Sequence, residues 1–241
     1  MWIRIHFPQV AIVALWIVTA QSMVAQDPNG ANPEAAPKGV TELKESLAAN
    51  QSKLKAYQWS QTTVVSIKGK TRKDEQAQCR YGPDGKIQKT PVGPPPEQPK
   101  QAPGGLKGKI IEKKVGEMKD YMDRLKGLIG HYAPPDPQKI QAAKEAGRVN
   151  SAVSGGSATI TVHDYYKTGD QVAFGFDPGA KKLTSYNVNT YLDDPKKDIV
   201  TLTNQFASLP DGTNYLQQTV LKAQGKQIQI TTTNSGYSSV Q

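Results

Sequence analysis

The chain has 241 residues, 30 Lys and Arg against 21 Asp and Glu, and a single cysteine. One cysteine excludes an internal disulfide framework and a paired-cysteine zinc site. The net charge of +9 favours acidic or anionic partners, and the length suffices for one domain with a sizeable core.

Residues 1–25 carry Arg4 ahead of an apolar run, Val10–Val18, and end in small and polar residues, the layout of a secretory signal peptide. The run is far shorter than the ~20 residues that span a bilayer. Cleavage after Ala20 and after Ala25 both satisfy the small-residue rule. Neither leaves a cysteine first, so no lipid anchor forms there. The expectation is a soluble extracytoplasmic, in a bacterium periplasmic, protein. Residues 26–40 read as a flexible linker rich in Pro, Ala, Asn and Gly, and 41–241 as a single domain.

Thr41–Asn50 predicts a helix capped by Thr41. Tyr57–Ile67 alternates, with Tyr57, Trp59, Val65 and Ile67 on one face, and predicts a long half-buried strand. Gly69-Lys70 turns it into a polar strand near 71–81, which holds Cys79 as a half-buried residue. Pro83-Asp84-Gly85 turns again into Lys86–Thr90. Residues 91–105, dense in proline and glycine, predict a loop without regular structure. A helical insertion over 107–147 follows. Its first helix, 107–130, spaces Ile111, Val115, Met118, Met122, Leu125 and Ile129 at alternating steps of four and three, the stripe of a core-facing helix. A second, over 137–147, ends at Gly147. From Ser157 the chain predicts six strands separated by Gly- or Pro-bearing turns, hence antiparallel neighbours. The fold class expected is α+β, mainly β: a curved unclosed antiparallel sheet, or half-barrel, with helices on its concave face. A closed lipocalin-type barrel is the alternative.

Residues 53–126 hold 17 Lys and Arg against 8 Asp and Glu, whereas 127–241 hold 10 against 9. The basic half suits an acidic envelope protein or an anionic membrane surface. No basic run interleaves with aromatics, so nucleic acid is not an expected partner. The sequence has no metalloprotease, nucleophile-elbow or phosphate-loop motif. His131 ends a helix. His163 and Asp164 are adjacent on a strand and point to opposite faces, and Asp193-Asp194 lies in a turn before Pro195. No catalytic residue, metal site or cofactor is assigned, and the expected role is binding. Candidate ligand-binding residues are Tyr57, Trp59, Val65, Ile67, Phe174 and Phe176 on the sheet, with Met118 and Met122 on the 107–130 helix, which is either a lid or a fixed core element.

The order of elements resembles the periplasmic lipoprotein-carrier superfamily, the LolA/LolB-like fold. The resemblance rests on Leu54-Lys-Ala-Tyr-Gln-Trp-Ser-Gln-Thr-Thr-Val64 after the first helix, and on Pro83-Asp-Gly-Lys-Ile87. It rests also on Pro210-Asp-Gly-Thr-Asn-Tyr-Leu-Gln-Gln-Thr-Val220 and on the closing Ile228-Gln-Ile-Thr-Thr-Thr-Asn-Ser-Gly-Tyr237. It implies an apolar cavity that shields acyl chains, and hence a carrier of lipid or acylated lipoprotein. A periplasmic sensor or protein-interaction module without lipid cargo is the other role the superfamily implies.

Overall fold

The structure, a computed structural model, describes residues 49–93 and 106–240. The signal segment 1–25, the linker 26–40, most of the Thr41–Asn50 helix and the proline-rich loop past residue 93 lie outside the described residues. The elements run β1 (Tyr57–Ile67), β2 (Lys70–Tyr81), β3 (Ile87–Val92), α1 (Leu106–Gly130) and α2 (Pro137–Glu145). They continue with β4 (Val149–Ser154), β5 (Ser157–His163), β6 (Gln171–Asp177), β7 (Lys182–Tyr191), β8 (Ile199–Ser208), β9 (Asn214–Ala223) and β10 (Ile228–Ser239).

Among the described residues one ten-stranded antiparallel sheet takes all the strands, in the order β3-β2-β1-β10-β9-β8-β7-β6-β5-β4. Because β3 and β4 are both edges, the sheet is open, and the closed barrel is ruled out. Consecutive strands are neighbours except β3 and β4, which form the two edges, and the first and last strands pair from Tyr57↔Ser239 to Ile67↔Ile228.

The register explains the core. Val65, Ile230, Leu221, Leu202, Val188, Val172, Val162 and Val149 lie opposite one another in turn, forming a single apolar row across eight strands. A strand period of two sends this row and its even-spaced neighbours to one face, here called the inner face. Many of the residues between them, among them Thr62, Thr203, Asn187 and Thr231, are polar and face outward, interspersed with Val64, Val220 and Ala173. On the inner face α1 buries Tyr121, Met122, Leu125, Leu128 and Ile129 against Val162, Val172, Val188, Val200 and Leu202 in one core cluster. The helix has weak intrinsic support, since Gly116 and Gly127 each cost ~1 kcal/mol relative to Ala, so burial of this stripe holds it.

Four expectations are corrected. Residues 149–154 form a strand, β4, which pairs with β5 through a Gly155-Gly156 turn with φ of 58° and 80°. Seven strands therefore follow the helices. Pro91 and Val92 belong to β3, not to a loop, because β3 is an edge where a residue without N–H is tolerated. Cys79 is fully buried at 0% exposure, not half-buried. His163 is the last residue of β5 and Asp164 turns away from it with φ of 48°, so the two do not share a strand. The short helix α2 stops at Glu145 and starts where Asp136 accepts the Gln138 N–H, with Pro137 in its first turn.

Candidate functional site

Three polar clamps fix the C-terminal half of α1 to the sheet. Tyr121 donates to Asp198 at 2.7 Å, and Asp198 also accepts the N–H of Gly225. Arg124 reaches both carboxylate oxygens of Asp193, at 2.7 and 2.9 Å. Just past the helix end, Tyr132 donates to Asp170 and meets the Thr190 hydroxyl at 2.7 Å, while Tyr186 donates to the Tyr132 carbonyl. Asp170, 2% exposed, also accepts the backbone N–H groups of Tyr165, Tyr166 and Lys167. Burial, helped by the carboxylates beside Tyr121 and Tyr132, pushes the phenols of Tyr121, Tyr132 and Tyr186 well above their usual range. They therefore remain hydrogen-bond donors at physiological pH.

The N-terminal half of α1 is held differently. Ile111, Val115 and Met118 continue the apolar stripe, yet they are only half-buried, and Ile110 is exposed. Lys109, Lys113, Lys114 and Lys119 are exposed alongside them. On the sheet, Ile67, Ile230, Phe176 and Phe206 also touch the core while remaining half-covered. One position further along the strands the inner face turns polar. Thr63 and Thr232 face each other, and Thr219 donates to Asn204 at 2.7 Å, which in turn donates to the Tyr186 carbonyl.

Beyond that polar row lies a second cluster, built on the bulged start of β1. Trp59, 2% exposed, stacks on Tyr237 with ring centroids 5.4 Å apart and tilts against Tyr81 at 5.5 Å. Tyr215 contacts Tyr237 at 4.4 Å and Tyr57 contacts it at 6.3 Å. The Trp59 indole N–H and the Gln61 amide both donate to Asn234 Oδ1, and Asn234 donates to the Leu216 carbonyl. Lys89 donates to Gln61 Oε1 at 2.6 Å. Burial lowers the Lys89 ammonium below its ordinary range and raises the Cys79 thiol, which Lys89 partly offsets. Tyr57 donates to Asp211, whose carboxyl sits below its usual range chiefly because Thr213 donates to it.

The eight sequence candidates therefore share one face but fall into two places. Met118, Met122, Ile67, Phe174 and Phe176 meet at the core beneath α1. Tyr57 and Trp59 belong to the aromatic cluster, outside the core cluster under α1. Val65 is buried between the two, in the central row beside Ile230. Met122 is buried beneath the clamps, whereas Met118 lies on the half-covered side. Tyr81, Tyr215, Tyr237 and the clamp residues escaped the sequence reading; the Pro-Asp-Gly turns near Tyr81 and Tyr215 were the only local signal. His131 stacks on Tyr166 at 3.9 Å and His163 lies beside Asn150. Asp193 is taken by Arg124, and Asp194 accepts the Lys196 N–H.

A cleft of about 640 Å³ lies elsewhere, lined by Ser66, Gly69, Thr201, Lys222, Gln227 and Gln229 among others. Ile199, Ala223 and Ile228 add apolar surface to its amides and hydroxyls, and none of the sequence candidates lines it. Among the described residues no His, Cys, Asp or Glu cluster is arranged to hold a metal ion, and no helix is long and apolar enough to cross a membrane. No family model matches the chain, and no curated protein matches it.

Proposed function

We propose that this protein is an extracytoplasmic, non-enzymatic binding protein that takes an apolar chain, from a lipid or an acylated lipoprotein, between the N-terminal half of α1 and the inner face of the sheet. The observation that carries this reading is the uneven burial of α1. Its stripe is sealed and clamped from Tyr121 onward, but Ile111, Val115 and Met118 stay half-covered. A ligand that covered them would gain roughly 25 cal/mol for each Å² of apolar surface buried. Methionine at 118 suits such a contact because its unbranched side chain adapts to varied shapes. The resemblance to the LolA/LolB-like superfamily supports the same class of cargo.

The exposed lysines beside this stripe favour loading or delivery at an anionic headgroup surface, an attraction worth about 1 kcal/mol per basic residue. Calorimetric titration of the delipidated protein with a lipopeptide and its non-acylated twin tests the proposal. Saturable binding of the acylated form alone is expected, weakened roughly tenfold or more by Met118→Lys. Equal binding of both peptides, or of neither, overturns it. Trp59 is already buried among tyrosines, so its fluorescence reports the fold and is a poor gauge of this ligand.

A further inference from the structure

The two edges of the sheet differ in kind. β3 carries Lys89 and Pro91, which obstruct pairing with another strand. β4 reads Val149-Asn150-Ser151-Ala152-Val153-Ser154, with neither charge nor proline. All of it except Val149 is exposed, Val153 at 76%. A hydrogen bond from the His163 N–H to the Arg148 carbonyl sets the phase of the β4–β5 ladder. Residues 150, 152 and 154 then turn their backbone groups toward β5, and Val149, Ser151 and Val153 turn theirs off the edge. The side chains of these same three residues lie on the inner face, in register with Val162, Ile160 and Ala158.

This stretch is nearly palindromic about Ser151. A second copy of the strand laid antiparallel would set Ser151 against Ser151, Val149 against Val153 and Asn150 against Ala152. The three hydrogen-bonded pairs so formed fall on the residues whose backbone groups are free. No like charges meet, and Arg148 opposes Ser154. The central apolar row, which ends at Val149, would run on into the second copy's Val153, Ala158 and Phe176 row. We propose that β4 joins two copies of this chain about a two-fold axis, fusing their ten-stranded sheets into one continuous sheet. A six-residue strand pair is small against a standard interface of about 1,600 Å², so the dimer is expected to be reversible, with micromolar dissociation.

Sedimentation velocity over a concentration series is the first test, with a monomer–dimer equilibrium as the expected result. Ser151→Lys, at an exposed position, sets two ammonium groups face to face on the axis and should weaken the dimer roughly tenfold or more. Ser151→Cys gives a second readout. Cα atoms of a hydrogen-bonded pair lie about 5.5 Å apart, within disulfide reach, and Cys79 is buried and does not compete. Mild oxidation should trap covalent dimers of this variant and not of Ser238→Cys. Three results overturn the proposal: a monomer at every concentration with no cross-link above the Ser238→Cys control, a dimer indifferent to Ser151→Lys, or capture of an extended peptide from another protein at β4 by a monomeric chain.

Discussion

Asp170 shows what a single buried carboxylate does in this fold. It lies in the β5–β6 connection, yet it gathers three backbone N–H groups of that connection and the hydroxyl of Tyr132 from the end of α1. Removing its charge should therefore hurt twice, by unpairing the turn and by releasing the helix. Asp170→Asn leaves one oxygen for these donors and is expected to cost about 2–4 kcal/mol, read as a lower urea midpoint. Tyr132→Phe removes one donor only and should cost about 1–2 kcal/mol. Equal losses in the two variants would mean that the turn contributes little. No sequence signal marks Asp170, because its partners are brought together only once β5, β6 and the end of α1 have packed.

At the scale of elements, α1 is one helix with two regimes. Met122 is buried under the clamped half, so Met122→Ala should cost about 2–4 kcal/mol. Val115→Ala, in the half-covered portion, should cost under about 1 kcal/mol. Amide hydrogen exchange should show the same gradient, slow from Tyr121 to Ile129 and fast before Met118; uniform protection along the helix would contradict it. The helix itself was legible because its stripe repeats over about five turns. Most strands were legible from alternation and from turns rich in glycine or proline. β4 was missed because an edge strand with one weakly covered face has no strong periodicity, although Gly155-Gly156 marked its turn. The aromatic cluster was hidden for another reason. Trp59 meets Tyr81, and through Tyr237 also Tyr215, from strands far apart in sequence, so no local window contains it.

For the molecule as a whole, tyrosines tie the layers together. Tyr121, Tyr132, Tyr186 and Tyr237 all have phenols raised by burial above the unfolded value of about 10. A raised folded-state value means that their contribution is fully present below about pH 10 and is lost as pH rises past it. The urea midpoint should thus hold steady up to about pH 9 and fall above about pH 10. Tyrosinate absorbance of these four should appear together with unfolding. Their smooth ionisation in the native protein would show that they are not sealed.

The pairing of β1 with β10 sets the order of assembly. The β1–β3 hairpins have one neighbour in the sheet beyond themselves, and it is the last strand of the chain. The strands from β4 to β10 each meet a partner made moments earlier, so they can zip up sequentially. β1 must wait through more than a hundred and fifty intervening residues for the loop-closing contact Thr63↔Thr232 and its neighbours. Such closure is entropically slow and places the seam of the sheet at the end of folding. A chain still in synthesis or in transit through a narrow passage would therefore hold its first three strands open. Trp59 would reach its stacked place on Tyr237 only after the final strand had arrived, which makes its fluorescence a clock for completion.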